Sequence, residues 1–418
     1  MFVLYQLILT LLLALTSPYF LIRSIFGKHG LKQRLGLWKF IPDARKTVWL
    51  HAASMGELKV IATILPELLN KNSELRIVIT TITKTGMAGA RSLPYAVEAF
   101  YLPIDLQHVV GRIVKKVKPS LFVLVETELW PALIRQLHRQ GAVIAVANGR
   151  ISRKSYNFYR ICKPLFHSTL GKLGSVMVQT ENDARRFIQL GAQPDRVAVY
   201  GNTKFDQVLL QSPRPLPDEL KTYLGCENAF VFVAGSARPG EFQILIEALQ
   251  ALLTAEHNCR CVIAPRHLKD VGRLEERLKM ANQPYLKRTA LSKDLSQPSS
   301  ILILDSMGEL AGLYRCAHLA FVGGSLVNLG GHDPLEPASA GCAVCFGPHM
   351  DNSRLFADLL IESGTGFIVS TASELSRLLC EFASDRSRAR ELGEKARQAV
   401  LSHSGVSRKI AARLLEYL

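Results

Sequence analysis

Short apolar runs that stop at glycine or a small polar cluster, each followed by residues with helical spacing, recur along this chain. The first runs from Thr47 to Ala53 and gives way to Ser54-Met55-Gly56-Glu57 before Leu58 to Leu69 takes up a helical apolar period. Arg76 to Thr81, Leu121 to Glu126, Ala142 to Ala147, Ser175 to Thr180 and Arg196 to Tyr200 repeat the pattern; Ala229 to Ala234, Arg260 to Ala264 and Ile301 to Leu304 continue it. Continuous apolar runs suit strands buried on both faces, and helix-length segments between them argue for parallel pairing. The pattern predicts an α/β architecture of two Rossmann-like parallel-sheet domains facing a cleft. Ligands of such sheets gather at the carboxyl ends of the strands, which makes the polar residues ending each run the candidates for chemistry.

Two segments interrupt the alternation. Ser212-Pro213-Arg214-Pro215-Leu216-Pro217 is proline-rich and predicts a boundary, with domains over 47–211 and 229–418 joined by a linker over 212–228. Phe2 to Ile22 carries no charge, long enough for a helix to cross a hydrocarbon core. Met1 leads straight into apolar residues and no small-x-small cleavage site follows, so the segment 1–26 reads as an uncleaved membrane anchor. Arg23, Lys28, Lys32, Arg34, Lys39, Arg45 and Lys46 stand against Asp43 alone, which makes 27–46 a basic juxtamembrane linker and puts the globular part in the cytoplasm.

Composition narrows the partners. With 418 residues, 48% of them apolar, there is room for two cores. The excess of 51 basic over 35 acidic residues gives a formal charge of +16 and favours anionic partners, among them phosphorylated substrates and an anionic membrane surface. No dense arginine block with interleaved aromatics is present, so nucleic acid is not expected. The 8 cysteines are scattered; Cys342 and Cys345 have CxxC spacing but no second pair, and their apolar setting reads as core. No His/Asp/Cys set has ligand spacing, and no bound metal is expected.

The strand ends offer Ser54 and Glu57, then Glu126-Thr127-Glu128-Leu129-Trp130-Pro131, then Asn148-Gly149-Arg150, then Asn202-Thr203-Lys204-Phe205-Asp206. Glu57 near a helix start has a structural use with the helix dipole, and in a partly dry setting its pKa would rise into the range of a general base. Lys204 is either a surface lysine or a cation for a developing anionic charge. Further along come Gly235 to Glu241, Pro265-Arg266-His267 and Asp305 to Leu310. Phe321-Val322-Gly323-Gly324-Ser325-Leu326 then runs into Gly330-Gly331-His332-Asp333-Pro334-Leu335-Glu336-Pro337, which reads as strand, bare loop and helix start. Its glycines would let a phosphate approach free backbone N–H groups, with Glu336 toward a ribose; a tight turn with a capping acid is the plain alternative. Neither loop spells G-x-G-x-x-G or a P-loop, which weakens dehydrogenase and nucleotide-hydrolase readings.

Taken in order, His51 to Glu57, Glu126 to Pro131, Gly201 to Asp206, Pro265 to His267, Met307 to Glu309 and Phe321 to Glu336 resemble the 3-deoxy-D-manno-octulosonic acid (Kdo) transferases of lipopolysaccharide synthesis. The resemblance implies a GT-B glycosyltransferase with an acceptor-binding N-terminal domain and a donor-binding C-terminal domain. It implies transfer of Kdo from CMP-Kdo to a phosphorylated tetraacyl lipid A precursor (lipid IVA), with inversion, without a metal or cofactor, at the inner membrane. Carried over by motif, Glu57 is the proton acceptor, and Glu128 and Lys204 stabilise the transition state. Pro265, Arg266, Met307, Gly308, Glu309, Asp333, Pro334, Leu335 and Glu336 contact CMP. Asp333 stands where the family commonly has asparagine, and Asn148 to Ser152 is looser than the usual Asn-Ala-Arg-Leu-Ser. The alternatives are another GT-B enzyme acting on a UDP-sugar, transferase or epimerase, and a membrane-tethered anion binder without chemistry.

Overall fold

The apolar runs become strands because each is buried on both faces, where β-branched and aromatic side chains pack well and helix propensity is overridden. The computed structural model describes residues 1–26, 30–210, 215–255, 258–291 and 299–418. They form two units, one of Met1–Gln207 with Ser404–Leu418 and one of Val208–His403.

In the first unit the strands are β1 (Thr47–His51), β2 (Arg76–Thr81), β3 (Val97–Tyr101), β4 (Leu121–Val125), β5 (Val143–Gly149), β6 (Ser175–Val178) and β7 (Val197–Val199). They pair in parallel in the order β3-β2-β1-β4-β5-β6-β7. The order reverses at β1, so the loops leaving β1 and β4 lie side by side at the carboxyl edge. One face of the sheet buries Trp49, Phe122, Leu133 and Phe187. The other buries Leu50, Ile61, Leu65 and Ile79 together with Ile410 and Leu414 of the C-terminal helix Val406–Leu415. By sequence that helix ends the expected domain over 229–418, but it packs on the first unit, in line with the expectation that a C-terminal helix returns to the first half. Asp206 fastens it, its buried carboxylate accepting from Gly405 N–H at 2.6 Å and from Ser407 N–H at 2.5 Å.

Two further expectations change. The N-terminal segment forms a helix, Phe2–Phe26, but among the described residues no helix is long and apolar enough to cross a membrane, so the expected anchor is not supported. Polar groups in its first turns bind the protein instead: Tyr5 Oη donates to Asp105 Oδ2 at 2.8 Å and Gln6 Nε2 to Asp105 O at 3.0 Å. Part of the expected linker over 27–46 packs into the first unit's core. Trp38 and Phe40 are buried, and Trp38 stacks on Phe100 with ring centroids 4.5 Å apart. Of its cations, Arg34 lies over the Tyr101 ring and Arg45 pairs with Asp43 at 2.7 Å, while Lys28 lies outside the described residues.

The second unit holds β8 (Phe230–Ala237), β9 (Cys259–Pro265), β10 (Tyr285–Lys287), β11 (Ile301–Ile303), β12 (Leu319–Val322), β13 (Ala343–Phe346) and β14 (Gly366–Ile368). Their order is β10-β11-β9-β8-β12-β13-β14, again parallel, with the reversal at β8. Phe230, Phe232, Phe321 and Phe382 fill one side, and Val231, Val233, Leu302 and Leu313 the other. Cys342 and Cys345 are buried; Cys345 lies in β13 and the Cys342 thiol donates to Tyr314 O at 2.7 Å. The proline-rich boundary falls partly outside the described residues, which resume at Pro215.

Candidate active site

In the first unit, β1 ends at His51 and the chain turns through Ala52 to Ser54 into the helix Met55–Lys71. Ser54 caps that helix, its Oγ accepting from Glu57 N–H at 3.4 Å, and Glu57 returns the bond: Oε2 accepts from Ala53 N–H at 2.8 Å and Oε1 from Ser54 Oγ at 3.2 Å. This is the reciprocal arrangement of a capping box, and it fixes the carboxyl on the loop side of the helix. The structural use of Glu57 is therefore real, yet it leaves the group with an unusual pKa. Burial, with the nearby charges of Glu126 and Glu128, pushes it up to about 7 against the pull of the Ala53 N–H.

Glu126 and Glu128 come from the neighbouring strand, β4. Glu126 has φ of +59°, a left-handed conformation that breaks the strand and lifts the next residues off the sheet. Burial raises the pKa of both acids, opposed at Glu126 by Arg150 and Lys204 and reinforced at Glu128 by the charge of Glu126. Three acids and two cations thus share the carboxyl edge of this unit. The Thr127 Oγ1 between the two acids is buried without a hydrogen-bond partner, and Thr127 O accepts from Tyr159 Oη at 3.0 Å.

Residues outside the predicted set hold this geometry. His51 is fully buried, and desolvation lowers its pKa to about 4, so the imidazole is neutral. Its Nε2 accepts from Trp130 Nε1 at 3.3 Å, which leaves the proton on Nδ1 to be donated toward Thr80 O at 3.1 Å. That chain links β1, β2 and the loop carrying Glu128. The following helix, Pro131–Arg139, is fixed at its N-terminus by Asp105, whose oxygens accept from Ala132 and Leu133 N–H, both at 2.8 Å; burial raises Asp105 to about 6. Lys204 is placed by a polar relay in which Asn202 Oδ1 accepts from Lys204 N–H at 2.9 Å, Asn202 Nδ2 donates to Gln179 Oε1 at 2.8 Å, and Gln179 Nε2 donates to Asn148 O at 3.1 Å. The sequence offered no signal for Gln179, which meets the relay only through the order of the strands.

In the second unit, the Gly323-Gly324 loop does not present free N–H groups. The fully buried Glu241 occupies it: Oε2 accepts from Gly324 N–H at 2.8 Å, and Oε1 from Ser325 and Leu326 N–H, both at 3.0 Å. Oε2 also accepts from Arg238 N–H at 2.8 Å, which ties the loop after β8 to the loop after β12. Gly323 is needed because the loops touch: a Cβ there would lie 2.2 Å from Ser236 O. The expected phosphate loop is thus filled by an internal carboxylate. Arg238 and Glu241 have the x-x-x-Glu spacing of a capping box, the one sequence signal that pointed to this role.

The other predicted residues of this unit divide into groups. Pro265 ends β9 and Arg266 follows, exposed, with its N–H donated to Ala237 O at 2.9 Å. Glu309 is ion-paired with Arg288 at 2.9 Å, Gly308 has φ of +91° and Met307 is exposed. Asp333 Oδ1 accepts from Leu335 N–H at 3.0 Å and so caps the short helix Leu335–Ser339, while Pro334 and Leu335 are buried. Glu336 lines a cavity of about 460 Å³ together with Ala311, Ser339, Arg315 and Arg397. Among the described residues no group of His, Cys, Asp and Glu could hold a metal ion.

With this geometry in view, the relatives are informative. The family profile described as 3-Deoxy-D-manno-octulosonic-acid transferase (kdotransferase) matches residues 29–207. A 3-deoxy-D-manno-octulosonic acid transferase of Haemophilus influenzae is 30% identical over 374 residues, which cover 89% of this chain and 87% of that one. This chain belongs to the Kdo transferase family and is a glycosyltransferase. A Kdo transferase of Chlamydophila psittaci is also 30% identical, over 82% of this chain and 80% of the relative. A bifunctional glycosyltransferase/methyltransferase of Fusobacterium nucleatum is 34% identical over 79% of this chain, but the match spans only 52% of that longer protein. Among solved structures, a glycosyltransferase from Rickettsia africae is similar with a TM-score of 0.55 at 14% identity, covering 90% of this chain and 98% of that one. A UDP-GlcNAc 2-epimerase from Neisseria meningitidis gives 0.60 at 12%, over 88% and 99%. These likenesses carry the fold: two parallel-sheet α/β units of the GT-B type within the Kdo transferase family.

Proposed function

We propose that this Kdo transferase family member moves Kdo from CMP-Kdo to a hydroxyl of a phosphorylated lipid A precursor, lipid IVA, with release of CMP, inversion at the anomeric carbon and no metal or cofactor. The observation that carries the reading is the acid cluster of the first unit, where Glu57 is held by two hydrogen bonds with its pKa raised to about 7. A carboxylate poised near neutrality is suited to take a proton from an acceptor hydroxyl as its oxygen attacks. In that step the acceptor oxygen forms the new bond to the anomeric carbon and its proton passes to Glu57. The bond from that carbon to the phosphate oxygen breaks, and the electron pair leaves with CMP. Lys204 and Glu128 act on charge in the transition state, and the predicted CMP contacts from Pro265 to Glu336 hold the donor.

Action at the inner-membrane surface, from the cytoplasmic side, is part of the same proposal. Its support is the lipid acceptor implied by the family and the exposed apolar residues Val3, Leu4, Leu7, Leu11 and Leu15 on the first helix. A UDP-sugar reaction is the second reading, favoured by the fold of the epimerase neighbour. Purified protein incubated with lipid IVA and either CMP-Kdo or UDP-sugars separates the two: the mass of the lipid product should rise by whole Kdo residues with CMP-Kdo alone. A product formed only from a UDP-sugar would end the Kdo reading.

A further inference from the structure

In the Gly323-Gly324 loop and at the start of the helix Leu335–Ser339, backbone donors that an anion would use are already engaged. Glu241 takes the N–H groups of Gly324, Ser325 and Leu326, and Asp333 takes that of Leu335. Around this loop, side chains are left to supply positive charge for a doubly anionic donor. Arg238, which leaves β8 at the switch point, reaches His267 Nε2 with Nη1 at 3.1 Å and His332 Nε2 with Nη2 at 3.4 Å. Arginine does not deprotonate, so it donates in both contacts, and each imidazole is a neutral acceptor at Nε2. The Arg238 Nε–H is buried and has no hydrogen-bond partner.

Burial, with the charges of Arg238 and Arg266, disfavours the imidazolium of His332. Asp333 is the carboxylate that acts on His332 in the opposite sense, and it is spent on Leu335 N–H. Among the described residues, neither Arg238 nor Arg266 makes an ion pair. The Arg238 guanidinium, held between His267 and His332 and without a carboxylate partner, forms a cationic site suited to an anion.

We propose that Arg238 recognises the carboxylate of the donor's sugar acid. His267 and His332 hold the Arg238 guanidinium in place, and its long contact to His332 is readily exchanged for a charge-assisted bond to a carboxylate. The assignment rests on the donor class proposed above and explains how a fold shared with enzymes of neutral nucleotide sugars selects a sugar acid. It makes Arg238 a specificity residue, distinct from the nucleotide contacts.

The test needs CMP, CMP-Kdo, a CMP-linked sugar acid and the methyl ester of that sugar acid. With the wild-type protein, the acid should compete against CMP-Kdo at least tenfold better than the ester, a difference of about one charge-assisted bond. In R238Q the KM for CMP-Kdo should rise roughly 10- to 100-fold while the Kd for CMP stays within about twofold, and acid and ester should compete equally. R238K, which keeps the charge but loses the fork, should fall between. Equal competition by acid and ester in the wild type overturns the assignment without any variant. So does an R238Q protein whose KM is unchanged, or one that loses CMP and CMP-Kdo in equal measure. Wild-type protein that does not use CMP-Kdo removes the donor reading and this assignment with it, whereas wild-type activity with an unchanged R238Q removes the assignment alone.

Discussion

If Glu57 is the proton acceptor, its raised pKa must appear in the rate. The fraction of enzyme able to accept a proton is small below the pKa of about 7 and nearly complete a unit above it. For a single titrating base, kcat/KM should then rise about tenfold between roughly pH 6 and pH 8 and level off beyond. The value belongs to a cluster, because Glu126 and Glu128 both raise Glu57. Glu126→Gln removes one of those charges, so the acid limb of the profile should move to lower pH. Glu57→Gln keeps the hydrogen-bonding shape but cannot accept the proton; transfer should fall by about 100-fold or more, with CMP binding intact and the limb near neutrality abolished. Folding stability carries the matching sign. Between the ordinary value of 4.5 and about 7 the folded state keeps a proton that the unfolded chain has released, so the Glu57 contribution is full below that window and is lost as pH rises through it. The assay is lipid product formation across pH at acceptor concentrations below KM, beside the same series for the two variants. A Glu57→Gln enzyme with substantial activity and an unaltered profile would refute the assignment of the base.

Other expectations follow from particular contacts. Glu241→Ala orphans the N–H groups of Gly324, Ser325, Leu326 and Arg238, and breaking a fully buried charged network of this kind should cost about 3–5 kcal/mol, read as a lower urea midpoint for the second unit; a midpoint unchanged from wild type would show that the loops hold themselves. Asp206→Ala removes the carboxylate that caps the helix Val406–Leu415 and should cost about 1–2 kcal/mol, with faster amide exchange at Gly405 and Ser407; unchanged exchange would count against the cap. Glu336→Ala should weaken CMP binding about 10- to 100-fold by calorimetry, and unchanged affinity would show that the ribose lies elsewhere than the cavity Glu336 lines.

The family relationship and the sequence motifs agree because both depend on local order. The strand beginning at Thr47, the capping spacing from Ser54 to Glu57 and the acids after Leu121 lie close together in the chain, and their pattern survives without knowledge of any distant partner. The short edge strands β3, β10 and β14 were not legible. They are three to five residues long and half exposed, so they lack the continuous apolar run that marked the central strands. The first helix shows the same limit of local pattern. An uncharged run records hydropathy, but Tyr5 and Gln6 found their partner in Asp105, about a hundred residues away.

What the sequence determined by itself was the kind of fold and the identity of the chemical groups, since apolar period, turn residues and motif spacing are properties of neighbouring positions. What only the tertiary structure decided was which groups are already occupied. The Gly323-Gly324 loop reads as an anion site until Glu241, 82 residues earlier than Gly323 and brought there by the β8–β12 pairing, is seen to fill it. Glu57 likewise reads as a helix cap until the neighbouring strand supplies the burial and the two charges that raise its pKa. Charge and desolvation act through space, and the order of strands in a sheet sets those distances.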